Sequence, residues 1–294
     1  YKSLFEEQIQ LENFFEEEAM NEFNDRNAEM INLYPDMKDA GPAEFLHNLK
    51  KAKEAISIPL FASLNCVFKE TWVDYAKQIE ATGVDGLELN FYATPREFGV
   101  TDQEIQEEQL QITAAVKAAL KIPVAVKLSP YYTNNMRFAH LMDGTGIDAM
   151  VMFNRLFQPD IDIESESMSF NFNKSGKGDY RLSLRYMGML HGKVKSNLVA
   201  NSGILEGKDV VKMLLAGADA VQIVSTLYQN GLDYVKVILE DIEKWMDTKG
   251  YKSIDDFRGK LSKENINDPY AYKRAQYVDI IMKKTELYKP NKMV

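Results

Sequence analysis

Cysteine is almost absent from the chain, which holds Cys66 and no other. One thiol excludes an intrachain disulfide and leaves no ligand set for an iron–sulfur cluster, and it suits a reducing, cytoplasmic setting. Histidine is scarce as well, with three residues in 294. His47, His140 and His191 fall on expected helices without metal-ligand spacing, so packing or surface roles are expected and no bound metal. No apolar run approaches the roughly 20 residues that cross a bilayer, and no signal peptide is visible. Basic residues are outnumbered, 35 against 44 acidic, for a net charge of −9. That balance argues against nucleic acid as a main partner. An initiator Met is missing too: the chain opens on Tyr1-Lys2-Ser3, as though inside an element.

What is present is a regular alternation. Hydrophobic residues make up 45% of the chain, enough for one large core. Residues 4–30 read as an acidic amphipathic helix with Leu4, Phe5, Ile9, Leu11, Phe14 and Phe15 on its apolar side; its glutamates, Glu6 and Glu7 among them, are expected to be solvated. Asn32–Asp36 reads as a loop and 43–55 as a helix. Strands are expected at 58–64, 86–91, 124–128, 148–153, 198–200 and 220–224. Between and after them, helices are expected at 71–81, 104–120, 136–142, 184–190, 209–216 and 232–249. Residues 156–182 read as a long irregular stretch, and 270–284 as a helix that packs on the barrel or makes a subunit contact, so a homodimer or larger homo-oligomer is open. No internal repeat is visible. Strands alternating with helices mean βαβ units and a parallel sheet. The expected fold is α/β, a (β/α)8 TIM barrel over 1–260 with a helical extension at 261–294. Counting strands leaves the barrel short of its first βα unit, which is expected ahead of Tyr1; an open doubly wound sheet is the competing account.

Polar residues gather where these strands should end: Lys2-Ser3, Asn65-Cys66, Asn90, Lys127, Asn154-Arg155, Ser202-Gly203 and Ser225-Thr226. Lys127 closes the apolar run Val124–Val126, and a cation buried there needs an anionic partner. Two turns of small residues, Asn201–Gly203 and Ser225-Thr226, follow successive parallel strands, an arrangement that offers backbone N–H groups to a phosphate.

In this order the segments KSLFEEQ (2–8), FASLN (61–65), GLELNF (86–91), VAVKLSPYY (124–132), MFNR (152–155), NSGILEGKDVVKMLLAGADAVQI (201–223) and GYKSIDDFRGKLS (250–262) resemble the flavin-dependent dihydroorotate dehydrogenases, most nearly class 1. The resemblance implies an FMN-binding barrel of pyrimidine biosynthesis that passes a hydride between a small anionic substrate and flavin N5. It implies that Lys127 lies at the flavin N1/O2 edge and that Lys2 and Ser3 touch flavin near substrate. Asn90 and Asn154 would line the flavin and substrate pocket, and Ser202, Gly203, Ser225 and Thr226 would hold the phosphate. Ser202 and Ser225 stand where the family has glycine.

The substrate side departs from that pattern. Residues 90–95 read Asn-Phe-Tyr-Ala-Thr-Pro, so Ala93 stands where the family carries its proton-accepting Cys or Ser, and Pro95 replaces a substrate-binding asparagine. Alanine accepts no proton. Tyr92 and Thr94 are the neighbouring candidates, with Tyr131 and Cys66 further off, and none is well placed by sequence. Arg155, where the family has Ser or Thr, suits a bidentate carboxylate clamp or a rim salt bridge. Three readings stay open: an FMN-dependent oxidoreductase with a substrate other than dihydroorotate, a dihydroorotate dehydrogenase with a displaced base, or an FMN- or phosphate-binding barrel without turnover. A flavin-free lyase or isomerase barrel using Lys127 is a fourth.

Overall fold

The structure is a computed structural model that describes residues 1–10, 41–91, 98–156, 158–169, 174–268, 272–273 and 276–282. The expected loop at 32–36, most of the helix expected at 4–30, and Tyr92, Ala93, Thr94 and Pro95 lie outside the described residues. The chain forms two compact units, Tyr1–Leu156 and Phe157–Val294. In both, parallel strands alternate with helices, the α/β arrangement of the (β/α)8 class expected from sequence.

The first unit runs β1 (Ser3–Phe5), α1 (Pro42–Ala55), β2 (Phe61–Asn65), α2 (Lys69–Ala81), β3 (Gly86–Asn90), α3 (Asp102–Ala119), β4 (Val124–Leu128), α4 (Asn135–Asp143) and β5 (Ala149–Met152). Its strands pair in parallel in chain order. The register sets Ser3 beside Ser63, Ser63 beside Glu88 and Glu88 beside Ala125, and one step on it sets Asn90 beside Lys127. Because side chains alternate between faces, two surfaces of opposite character result. Leu4, Leu64, Leu87, Leu89, Val126 and Met150 share one face and are buried together with Leu49, Trp72, Ile79, Val116 and Phe138 of the helices. Ser3, Ser63, Asn65, Glu88, Asn90 and Lys127 share the other.

Leu4 and Phe5, expected on the apolar side of the first helix, lie in β1 instead. Their backbone is taken up by pairing with Leu64 and Asn65, and helix begins only at Glu6. Glu6 is also not solvated but 3% exposed. Its carboxylate accepts bonds from the Val67 N–H at 3.1 Å and the Thr71 hydroxyl at 3.3 Å, tying the end of β1 to the turn after β2.

The second unit holds an antiparallel hairpin, β6 (Asp160–Asp162) with β7 (Ser167–Ser169), inside the stretch expected to be irregular. It continues with α5 (Tyr180–Leu190), β8 (Asn197–Ala200), α6 (Gly207–Ala216), β9 (Ala220–Val221), α7 (Ser225–Asn230) and α8 (Tyr234–Lys249), then a 3-10 turn, Ile254–Asp256, and α9 (Gln276–Met282). β8 and β9 are parallel. Phe257, 1% exposed, packs its ring against Trp245 and Tyr251. Backbone bonds from Gly259, Leu261 and Lys263 to Leu214, Leu215 and Gly188, each 2.8 Å, bind this segment to α5 and α6. His191 packs here as well: its ring fills the space that side chains at Gly217 and Gly259 would take.

A short repeat does exist, although none was visible in the sequence alone. Thr82-Gly83-Val84-Asp85, Thr145-Gly146-Ile147-Asp148 and Ala216-Gly217-Ala218-Asp219 each join a helix to the next strand. The glycines adopt positive φ (84°, 80° and 117°), which ends the helix, and Val84, Ile147 and Ala218 are buried. Each aspartate then grips one residue of the preceding strand region at two points. Its N–H donates to the carbonyl of Leu60, Val124 or Leu198 (2.9, 2.9 and 2.7 Å), and its carboxylate accepts that residue's N–H (2.6, 2.7 and 2.8 Å). Lys53 and Lys117 complete the first two grips at 2.6 and 2.5 Å.

Burial pushes the Asp148 carboxyl up, but the bonds from Lys117 and the Val124 N–H outweigh it and hold it below the usual carboxylate range. A depressed carboxyl stabilises the fold above its unfolded value, near 3.9, and that share is lost as pH falls below it. Asp148→Ala is expected to cost about 1–2 kcal/mol at neutral pH by orphaning the Val124 N–H. It is also expected to flatten the acid limb of stability below about pH 4. Urea denaturation at several pH values measures both.

Candidate functional site

The polar face of the first unit is a connected network. Ser3 Oγ and Ser63 Oγ lie 2.6 Å apart. Asn90 Nδ2 donates to Ser3 Oγ at 3.3 Å, Asn154 Nδ2 donates to Asn90 Oδ1 at 2.5 Å, and Asn65 Nδ2 donates to the Asn90 carbonyl at 2.5 Å. The Asn154 N–H extends the ladder past β5 by donating to the Leu128 carbonyl at 2.7 Å. Ser3, Asn90 and Asn154, expected at a common site, are therefore joined by direct hydrogen bonds, and both amides are fixed in orientation. Lys2 is exposed just ahead of β1, and Arg155 is exposed past the end of β5. Ser3 does not end its strand as expected; it begins β1, level with Glu88 and one side-chain layer below Asn90 and Lys127.

Lys127 has its anion within the protein. Glu88 Oε1 lies 3.5 Å from Lys127 Nζ, with the side chains 11% and 18% exposed. Glu88 was missed in the sequence, although a signal existed: in GLELN, residues 88 and 90 share a face, so a charge stood beside Asn90 at strand spacing.

Cys66, which follows Asn65, is buried. Burial pushes its thiol well above the usual range, and the Glu6 carboxylate, which accepts its hydrogen bond, adds to the shift. Such a thiol stays protonated and is a poor base or nucleophile. Tyr131 is 66% exposed.

In the second unit the two turns are linked. Thr226 is fully buried and its hydroxyl donates to the Leu205 carbonyl at 2.8 Å, joining the segment after β9 to the turn after β8. The side chain expected to contact a phosphate is thus spent inside the protein. Ser225-Thr226 also opens a short helix rather than a plain turn. Ser225 Oγ accepts from both the N–H and the hydroxyl of Ser175, each at 2.9 Å, which directs its own proton elsewhere. Ser175 was not singled out in the sequence. Ser202 and Gly203 both take positive φ, 72° and 68°. A Cβ on Gly203 would stand 2.5 Å from the Tyr180 nitrogen, so the backbone of this turn lies directly on the start of α5.

Among the described residues there is no cluster of three or more His, Cys, Asp or Glu suited to a metal, and no helix is long and apolar enough to cross a membrane. A family model described as Dihydroorotate dehydrogenase matches residues 23–246. The chain belongs to the dihydroorotate dehydrogenase family. It is 28% identical over 214 residues to dihydroorotate dehydrogenase B (NAD(+)), catalytic subunit, of Methanocaldococcus jannaschii, across 70% of this chain and 69% of the relative. It is 27% identical to dihydroorotate dehydrogenase A (fumarate) of Lactobacillus helveticus, across 69% and 68%. It is 26% identical to dihydroorotate dehydrogenase B (NAD(+)), catalytic subunit, of Caldicellulosiruptor bescii, across 77% and 76%. For this member of the dihydroorotate dehydrogenase family, the matched span includes Glu88, Asn90, Lys127, Asn154, Arg155, Ser202, Gly203, Ser225 and Thr226.

Two outcomes follow. Gly203→Ala meets both a left-handed φ and a close backbone contact, and is expected to destabilise by about 2–3 kcal/mol in urea denaturation. At pH 8 Cys66 is expected to react with iodoacetamide at least ~100-fold more slowly than a free thiol, with Glu6→Gln narrowing the gap, as followed by mass spectrometry.

Proposed function

We propose that this chain is an FMN-dependent oxidoreductase acting on a CH–CH bond of a small anionic substrate. The observation that carries this is Lys127: a half-buried lysine near the end of β4, on the same face as the Ser3–Asn90–Asn154 network. The donor set fits FMN chemically. In the first unit, a cation and oriented amides suit the polar edge of a flavin ring. In the second, the Ser225 hydroxyl, which accepts two bonds from Ser175 and keeps its own proton to donate, suits a phosphate. Family membership and relatives named as dihydroorotate dehydrogenases support the same reading.

FMN, when bound, supplies a two-electron centre that takes hydride at N5. Lys127 would hold the negative charge that develops at the ring edge, a preorganised electrostatic effect typically worth ~10²–10³ in rate. Asn154 orients the Asn90 amide, and Asn90 orients the Ser3 hydroxyl, so these groups meet a ligand without rearranging. Ser202 and Gly203 would supply backbone N–H groups to phosphate, and the exposed Lys2 and Arg155 would attract a carboxylate. Ala93 can take no proton, so proton removal from a dihydroorotate-like substrate would run through another group, with Tyr92 and Thr94 the adjacent ones. This favours a substrate other than dihydroorotate; the names of the relatives favour dihydroorotate itself.

The purified protein is expected to be yellow, or to become so on adding FMN, with about one FMN released on denaturation. A colourless protein that FMN cannot reconstitute would sink the proposal. Dihydroorotate is expected to reduce the flavin anaerobically at least ~10²-fold more slowly than it reduces a family member carrying the Cys base, the usual size of a lost general base. An ordinary rate would restore dihydroorotate as the substrate. Lys127→Met is expected to slow reduction by any productive donor by ~10²-fold while the protein still binds FMN.

A further inference from the structure

Glu88 is a buried carboxylate that the reading above does not use. It sits in the middle of β3, where a charge is costly unless paired, with the uncharged Ser63 and Ala125 beside it on the neighbouring strands. Lys127 lies diagonally across, one layer nearer the strand ends, at 3.5 Å. That gap is longer than the 2.6 and 2.5 Å of the pairs Lys53–Asp85 and Lys117–Asp148 at the other end of the sheet. It also exceeds the ~2.7–2.9 Å of a charge-assisted hydrogen bond. Lys127 is thus drawn by charge without being closed into a tight pair, and its ammonium keeps its reach toward the strand ends.

We propose that Glu88 is a positioning residue for Lys127, whose carboxylate offsets the lysine's charge and limits its extension, and so sets how strongly the strand-end face favours an anionic ligand over a neutral one. The inference rests on the FMN reading for the identity of that ligand, the reduced, anionic cofactor, but not for the coupling between the two side chains. With both groups ionised, the pair adds no net charge to the face. Removing the carboxylate's charge alone leaves Lys127 unopposed; removing the lysine leaves Glu88 nothing to position.

The test compares wild type, Glu88→Gln, Lys127→Met and the double variant, each loaded with FMN, by measuring the reduction potential of the bound cofactor through dye equilibration. Glu88→Gln is expected to raise the preference for reduced over oxidised FMN about tenfold, the scale of one charge at such separations in a partly screened site. Lys127→Met is expected to lower it, and Glu88→Gln to shift the potential less in the Lys127→Met background than in wild type, because coupled residues do not add. An unchanged potential in Glu88→Gln, or additive effects in the double variant, would overturn the proposal. A second arm needs no cofactor: acetic anhydride labelling of Lys127 in the FMN-free protein, read by mass spectrometry. Removing the carboxylate frees the ammonium from its ion pair, so labelling is expected to be at least threefold faster in Glu88→Gln; an unchanged rate would overturn the coupling. If wild type takes up no FMN, the flavin reading fails and labelling alone decides. If Glu88→Gln does not fold, Glu88→Asp takes its place, withdrawing the carboxylate while keeping its charge. Shifts in the same direction but smaller are then expected, and none would count against the proposal.

Discussion

The two-point grip of an aspartate on the preceding strand is the interaction on which the rest of the fold depends. A parallel strand has no hairpin turn to set its register, and a slip of one residue sends every side chain to the opposite face. Asp85, Asp148 and Asp219 remove that freedom. Each bonds both the N–H and the C=O of a single residue, Leu60, Val124 or Leu198, so only one alignment satisfies all four groups. The glycine two positions earlier ends the helix with a positive φ and delivers the chain at the right point. In the first unit, Ser3, Ser63, Glu88, Asn90 and Lys127 share a face because register is fixed at the opposite end of the strands. A slip at Asp85 would carry Leu87 and Leu89 onto that face and bury Glu88 among the apolar helices.

Such a face is costly to build. Its strands are covered on both sides, and buried polar groups must find partners within the protein. The solution here is a chain of donors running from Asn154 through Asn90 to Ser3 and Ser63, with the Lys127–Glu88 pair beside it. The ion pairs at the two ends of the sheet differ in kind. Lys53–Asp85 and Lys117–Asp148 are short, share their carboxylates with backbone N–H groups, and serve the register. Lys127–Glu88 is longer and lies among side-chain amides and hydroxyls. The first kind fastens the strands; the second belongs to the polar network of the opposite face.

Much of this was legible in the sequence, and the misses have physical causes. Hydrophobic periodicity located the helices around Ala76, Val116 and Val210 to within a few residues, because each buries one apolar stripe. The strands at 86–90 and 124–128 were evident from the regular alternation of extended and helical segments. Leu4 and Phe5 were assigned to a helix because the glutamates after them continue a helical pattern, whereas pairing with β2 is a long-range effect that no local window contains. The hairpin at 160–169 was hidden by its exposed acidic and serine residues, which lack the alternation of a half-buried strand. Thr226 was read as a ligand group because a hydroxyl in a small-residue turn does not reveal that Leu205 will claim its proton. The aspartate repeat escaped notice because four residues recurring at uneven distances, 63 and 71 apart, carry no period; their common bonds made them recognisable.

The contrast between strand residues that match the family pattern and residues beyond the strands that depart from it follows from the same architecture. Glu88, Asn90 and Lys127 belong to strands whose register is pinned, so changing one disturbs the hydrogen bonds of its neighbours and the balance of a buried charge. Arg155 comes after β5 has ended. Positions beyond a strand end tolerate exchange more readily than positions within one. Membership of a family therefore carries more information about the strand residues than about those beyond them. Chemistry assigned from Lys127 and Asn90 thus rests on firmer physical ground than a substrate assigned by name.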